Sequence, residues 1–269
     1  MTDKISLSLI KSMRERTNLG VLACKQALIK TNGNINLAIQ YVRRLGLIQS
    51  QQKISVQSKT CGIILVKVKK EKNIGILIEI NSESDFVAKN EMFNDFGKKV
   101  INTMFEKNIS DIDILRNFFR DKIEYLTLQF GENINIRRIK MLHGKHLSFY
   151  LHLQRIGVIV DCTDTNDKLN QKIAMHIAAS NPRYINVNCI PKHIIDQEYN
   201  IHLKNALNLG KTHVISEQVA NGRMKKFFEN VVLEEQYFIF DAEKKIKYFL
   251  IKNDIDVKNF IRFELGEDC

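Results

Sequence analysis

The sequence contains one tripeptide that could contact a phosphate, Gly210-Lys211-Thr212. A phosphate-binding loop needs another glycine five positions before that one, and it follows a β-strand. Asn205 occupies the required position, and the residues around it have helical periodicity. The tripeptide is therefore interpreted as the turn of a helical hairpin, and we expect no direct nucleotide binding.

Histidine and cysteine side chains could supply metal ligands or a nucleophile, but their spacing favours neither role. The cysteines are odd in number and far apart, and no histidine pair has the i, i+4 spacing around an acid that is typical of zinc sites. No serine lies in the glycine pattern of a nucleophile elbow. We expect reduced thiols, no metal, no cofactor and no enzymatic chemistry. The cysteines are Cys24, Cys61, Cys162, Cys189 and Cys269.

A third candidate is an acid beside an aromatic ring, Asp85-Phe86, which follows the apolar run IGILI and a polar turn. The turn, residues 82–85, fits a capping box, so Asp85 could accept backbone N–H bonds at the start of a helix. Phe86 precedes Phe93 by seven residues and Val100 by fourteen, a spacing that favours a core position. A first-turn position could equally display the ring, and spacing alone leaves both interpretations open.

The composition indicates a globular chain with a sizeable core. The 269 residues are 44% hydrophobic and 26% charged, with 2 prolines and 12 glycines, which suggests one large domain or two to three smaller ones. The net charge of +11 is spread along the chain, which favours a solvated surface over a nucleic-acid interface. No apolar run is long enough for a secretion signal or a membrane span, so we expect a cytoplasmic protein.

Helical periodicity predicts a three-helix module over residues 1–48. The helices are expected at residues 6–16 and 22–30, with a third around Leu37 to Leu45 that Gly46 caps. The polar residues 49–60 read as a linker.

The rest of the chain contains a faint repeat. IGILIE at residues 74–79 resembles IGVIVD at residues 156–161. In each half this segment follows another strand pattern and precedes a helix pattern, over residues 86–105 in the first half and 170–180 in the second. Third strands are expected near residues 134–142 and 259–265. The predicted class is α+β, with a duplicated α/β core of small antiparallel sheets. The core subdomains are residues 61–145 and residues 146–190 with 232–269; residues 191–231 form an inserted helical hairpin.

Several segments, in order along nearly the whole chain, closely resemble signatures of bacterial elongation factor Ts. In that resemblance Ser84 stands where threonine is usual. The matching segments are MRERT (13–17), GVLACKQAL (20–28), EINSESDFVAK (79–89), GENINIRR (131–138), MHIAAS (175–180), GRMKKF (222–227) and FIRFE (260–264).

The resemblance implies a guanine-nucleotide exchange factor for elongation factor Tu, with a ubiquitin-associated-like N-terminal module and an antiparallel coiled-coil insertion. It also implies that the ring of Phe86 wedges into the GTPase domain of that partner and weakens its magnesium and phosphate site. The module would lie on the same GTPase domain, and His176 would lie on a core surface that holds another domain of the partner. The positions that match partner contacts are Arg14, Val21, Leu22, Lys25, Asp85, Phe86, Val87 and His176.

The chain departs from the family pattern near its N-terminus. Asn18, Leu19, Val21, Leu22 and Ala23 stand where the family has Gly-Ala-Gly-Met-Met-Asp, so an acid and two methionines are replaced, although the surface stays apolar. Many family members also continue past the position of Glu267 with a further helix, and we expect that contact to be missing. The alternative function, from a different class, is a basic RNA-binding accessory protein of the translation apparatus.

Overall fold

The computed structural model describes residues 5–17, 20–39, 41–42, 61–210 and 212–267. The predicted linker, the end of the third predicted helix with Gly46, and Lys211 lie outside the described residues. The described chain is a mixed α+β protein, as the sequence predicts. The chain divides into two compact units. One contains residues 1–65, 78–140 and 264–269, and the other contains residues 66–77 and 141–263.

The N-terminal segment is helical, as its periodicity predicts. Helices α1 (Leu7–Thr17) and α2 (Val21–Lys30) are followed by α3, of which residues 35–39 and 41–42 are described. Their apolar faces meet in a small core, to which the partly buried Leu128 also packs. This core excludes water from Ile10, Met13, Cys24, Ala27, Leu28, Ala38 and Val42.

The first sheet contains strands β1 (Cys61–Lys69), β2 (Ile74–Ser82) and β3 (Asn135–His143) in the order β1-β2-β3. Strand β2 is central and almost wholly buried, which explains its run of isoleucine and leucine. A 3₁₀ turn, Lys70–Lys72, joins β1 to β2, and Asn73 completes it in the left-handed conformation.

Four helices lie between β2 and β3: α4 (Asp85–Ala88), α5 (Glu91–Lys107), α6 (Ile112–Phe118) and α7 (Arg120–Phe130). The sequence predicted one helix-like segment over residues 86–105, and that prediction is wrong. A break at Lys89 and Asn90 separates a single helical turn from a long helix. Helices α6 and α7 were not predicted from the sequence.

The second sheet repeats the order of the first. Its strands are β4 (Leu147–His152), β5 (Ile156–Cys162) and β8 (Val257–Glu264), again with the second strand of a hairpin in the centre. Strands β4 and β5 pair antiparallel, with Leu147 opposite Asp161. Helix α8 (Asp167–Ser180) buries Ile173, Ala174, Ile177 and Ala178 in the same core as β5. A small β-ladder of β6 (Tyr237–Phe238) and β7 (Asp241–Lys245), and helix α11 (Ile246–Lys252), were not predicted.

A helical hairpin lies between the elements of the second unit. Helices α9 (Lys192–Asn208) and α10 (His213–Val231) pack against each other. The short connection between them makes them antiparallel. Gly210 lies in this connection with a positive φ of 75°, so it forms a turn rather than a phosphate-binding loop after a strand. Among the described helices, none combines the length and the apolar character needed to cross a membrane.

Gly62 is a position at which the close packing of the β1–β2 hairpin can be tested. Its φ is +141°, and a Cβ there would overlap the carbonyl oxygen of Ile80. We expect Gly62→Ala to lower the free energy of unfolding by about 2–4 kcal/mol. Gly222→Ala is the matched control, because Gly222 lies within α10 with open space around it. That change should stabilise by about 0.5–1 kcal/mol. Urea denaturation measures the free energy of unfolding of both variants. Equal changes in the two would contradict the requirement for glycine at position 62.

Candidate partner-binding site

Phe86 lies on the one-turn helix α4 and points into solvent. Its side chain is 83% exposed, whereas its neighbours Val87 and Ala88 are 6% and 9% exposed. The interpretation of Phe86 as a core residue is therefore wrong. The helix is fixed to the protein through the residues after Phe86, and the ring is left free on the opposite side.

The start of α4 is fixed by Glu132, which follows the end of α7. The backbone N–H of Ser84 donates to one Glu132 carboxylate oxygen at 2.9 Å, and the Ser84 hydroxyl donates to the other at 2.7 Å. We call these two hydrogen bonds the Ser84–Glu132 clamp. A reciprocal bond of 3.3 Å runs from the N–H of Asn133 to Glu83. The two segments are thus joined from both sides.

The helix cap differs from the predicted capping box. Ser84 is the N-cap, and its hydroxyl oxygen accepts the N–H of Val87 at 3.4 Å. Ser82 instead donates its hydroxyl to the carbonyl oxygen of Ser84 at 2.9 Å. The cap therefore lies two residues later than the sequence suggested, and Asp85 is the first helical residue.

The end of α4 is fixed by two asparagines. The side-chain amide of Asn94 donates to the carbonyl oxygens of Ala88 and Asn90, both at 2.9 Å. The side-chain oxygen of Asn90 accepts the N–H of Met92 at 2.9 Å and so begins α5. Because the helix restarts here, Phe93 points into the core while Phe86 does not.

Asp85 places a negative charge beside the exposed ring. Lys89 donates to its carboxylate at 2.7 Å, and both side chains are exposed. The hydrogen bond from Lys89 and the charge of Lys89 hold the pKa of Asp85 below its usual value, with smaller support from backbone N–H groups. The acid is therefore ionised at neutral pH. An exposed pair of this kind adds little stability, so Asp85 can exchange Lys89 for another cation or donor.

A buried ion cluster lies next to this segment along β2, and sequence reasoning missed it. The fully buried carboxylate of Glu79 accepts from Arg137 at 2.8 Å and from Arg138 at 2.6 Å. It also accepts the N–H of Gly266 at 3.1 Å. Arg138 donates further to the carbonyl oxygen of Glu264 at 2.8 Å, which fixes the end of the described chain. The paired arginines in GENINIRR were the available signal.

The candidate residues of the N-terminal module lie on its surface. Arg14 on α1 and Val21, Leu22 and Lys25 on α2 are all exposed, with Leu22 70% exposed. Ile29, one further turn along the same face of α2, is also exposed and was not selected from the sequence. This face is apolar and has no cover among the described residues of the chain.

His176 is buried, so its expected place on a core surface is wrong. Its Nε2–H donates to Oε1 of Gln236 at 3.2 Å, because the Gln236 amide nitrogen is used by the carbonyl oxygens of Ser180 and Asn230, each at 3.0 Å. Its ring also lies 5.7 Å from that of Phe238. Burial lowers the pKa of His176 to about 4, against a smaller opposing effect of the Gln236 hydrogen bond. The imidazole is neutral at pH 7.

Val87 and His176 thus differ from the other candidates. Their side chains have almost no exposed surface, so in this conformation they cannot meet a docking protein directly. The described residues contain no group of three or more histidine, cysteine or acidic side chains that could hold a metal ion.

The structure thus displays an exposed ring on a helical turn that is fixed at both ends, beside an ionised acid. The family model described as elongation factor TS matches residues 83–267. An elongation factor Ts of Wigglesworthia glossinidia brevipalpis is 54% identical over 268 residues, which cover 100% of this chain and 98% of the relative. The corresponding proteins of Blochmanniella pennsylvanica (strain BPEN) and Yersinia pestis (strain Pestoides F) are 47% and 43% identical, covering 98% of this chain and 97% and 92% of theirs.

The chain belongs to the elongation factor Ts family. Its role is therefore that of a translation elongation factor, as its motifs indicated, and the RNA-binding alternative has no support.

The buried His176 predicts a pH-dependent stability. The unfolded chain binds a proton at this position near pH 6.5, whereas the folded chain binds it only near pH 4. Stability is therefore complete above pH 6.5 and falls as the pH drops toward 4, by about 2–3 kcal/mol at pH 4.5. His176→Gln keeps a donor for Gln236 but cannot titrate. Its deficit against the wild type, measured by urea denaturation, should shrink by that amount between pH 7.5 and pH 4.5.

The exposed His193, changed in the same way, is the control and should leave the pH dependence of stability as it is in the wild type. A constant deficit of His176→Gln across this pH range would contradict the assignment.

Proposed function

We propose that this chain binds elongation factor Tu through Phe86 and Asp85 and speeds GDP release by distorting the magnesium and phosphate site of that partner. The observation that carries the proposal is the 83% exposed ring on a helical turn that is fixed at both ends. A solvent-exposed phenylalanine gains about 1.5–3 kcal/mol when it is buried. The ring is already held in place, so little of that gain is lost in ordering it.

The exchange mechanism is a coupling between two binding sites on the partner. If the ring occupies space that the nucleotide-bound partner fills with its own side chains, each ligand weakens the binding of the other by the same factor. A coupling of about 3 kcal/mol on the barrier speeds release roughly a hundredfold. A newly bound nucleotide then displaces the exchange factor. The chain needs no covalent chemistry, no cofactor and no nucleotide of its own for this role.

The apolar face of α2 supplies a second contact in the proposal. Val21, Leu22 and Lys25, with Arg14 on α1, would lie along the GTPase domain of elongation factor Tu. Val87 supports the site from inside instead, because its burial anchors α4. His176 orders the core beneath α8 in the other compact unit.

The finer architecture is also part of the proposal. The described helices within residues 1–48 belong to a ubiquitin-associated-like module, and α9 and α10 form a projecting coiled coil within residues 191–231. The first core subdomain comprises residues 61–145, and the second comprises residues 146–190 and 232–269. The proposed role would be carried out in the cytoplasm, where translation elongation takes place, and it requires neither a membrane nor a nucleic acid as a partner.

Phe86→Ala tests the proposal. We expect the variant to fold normally, because the ring makes no core contact, and to lower the stimulated release of fluorescent GDP from elongation factor Tu by roughly 10- to 100-fold. Stopped-flow fluorescence with excess unlabelled GDP measures the release rate. Ile251→Ala is the control, because Ile251 is a similarly exposed apolar residue on α11. Wild-type stimulation by Phe86→Ala would remove the ring from the mechanism.

Leu22→Ser tests the contact through α2. We expect a several-fold rise in the concentration of exchange factor needed for half-maximal stimulation, since an apolar contact is lost, and a nearly unchanged maximal rate. Ile114→Ser, on the exposed side of α6, is the control. A fall in the maximal rate with an unchanged half-maximal concentration would assign Leu22 to nucleotide release instead of docking.

A further inference from the structure

We propose that Glu132 is the positioning residue for Phe86, an inference that rests on the proposed function and deepens it. Glu132 lies outside α4, directly after the residue that ends α7. It acts through Ser84, whose N–H and hydroxyl both donate to its carboxylate at 2.9 Å and 2.7 Å. These bonds fix the residue from which α4 begins, two positions before Phe86.

Glu132 is well placed to serve as a fixed point because its own backbone is held without help from α4. It directly follows Gly131, which ends α7 in the left-handed conformation. Ile134, just before β3, and Ile136, within β3, are both buried. The Glu132 carboxylate therefore holds the turn before Phe86 in a fixed position relative to the end of α7 and the start of β3.

Helix α4 depends on this contact more than a longer helix would. Four residues provide a single turn, which is too short to be stable alone. Few backbone hydrogen bonds hold the turn. The one in which the N–H of Ala88 donates to the carbonyl oxygen of Ser84 is long at 3.4 Å. Without Glu132, Ser84 loses the acceptor of its N–H and the acceptor of its hydroxyl proton. The ring then samples several orientations, and docking must select one of them.

The test measures stimulated GDP release with wild type, Glu132→Ala, Phe86→Ala and the double variant. We expect Glu132→Ala to lower the maximal rate by at least half the factor that Phe86→Ala does, which is roughly 5- to 50-fold. Phe86→Ala should then cost less than twofold more in that background, because a ring without a fixed orientation has little left to contribute. Glu132→Gln should retain most activity, since its amide oxygen accepts the Ser84 N–H and its NH₂ donates to the Ser84 hydroxyl oxygen.

Glu124→Ala is the matched control. Glu124 lies on the same helix, α7, and its partly buried carboxylate accepts from Arg120 at 3.1 Å. It should leave the release rate unchanged. A Glu132→Ala variant that behaves like Glu124→Ala, or in which Phe86→Ala keeps its full effect, overturns the positioning role. If Glu132→Ala does not fold, Ser84→Ala replaces it; that change removes one bond of the clamp together with the cap bond to Val87, and it keeps the backbone N–H.

Hydrogen exchange of the free chain gives a readout that does not involve elongation factor Tu. Glu132→Ala should speed amide exchange in residues 84–90 at least tenfold, and Glu124→Ala should not. Unchanged exchange in residues 84–90 overturns the positioning role. If the wild type fails to stimulate GDP release while Glu132→Ala still loosens these amides, the proposed function fails and the positioning of Phe86 by Glu132 stands.

Discussion

The Ser84–Glu132 clamp is the interaction on which the docking site depends. A phenylalanine normally lowers its free energy by entering the core, so a protein that displays one must hold the backbone beside it against that tendency. Here the clamp fixes the start of α4, the burial of Val87 and Ala88 fixes its inner side, and Asn94 fixes its end. The ring is exposed because both ends and the inner side of the turn are already bound.

The strands and the longer helices follow from local pattern, and the short elements do not. The hairpins, α8 and the two helices of the insertion were predicted within a few residues, because β-branched runs and helical periodicity extend over many positions. The break between α4 and α5 escaped that method. Phe86, Phe93 and Val100 keep a heptad spacing across it, while the cause of the break is a side-chain contact from Asn90 to Met92. Periodicity cannot register one such contact.

At the site, too, local sequence pattern could not predict the features that depend on contacts between distant residues. Periodicity alone favoured a buried Phe86, and it was the resemblance of EINSESDFVAK to a family signature that indicated display. For His176 the resemblance implied a surface position, which is wrong. Ile173, Ala174, Ile177 and Ala178 surround it on α8 and are all buried, so His176 lies on the inward face of that helix. Glu132 lies 48 residues from Ser84, so no local pattern could connect them.

Comparison of the two halves explains why only one of them displays a ring. Ser84 lies five residues after Glu79, and Asn166, the cap of α8, lies five residues after Asp161, so the same helix start occurs twice. In the second half the helix continues unbroken to Ser180 and buries one side along its whole length. In the first half it stops after one turn, and a new helix resumes the core packing with Phe93. Because of this interruption, α4 does not have to keep the helical spacing that places the apolar side chains of α5 in the core. A side chain of α4 can therefore face outward without opening the core.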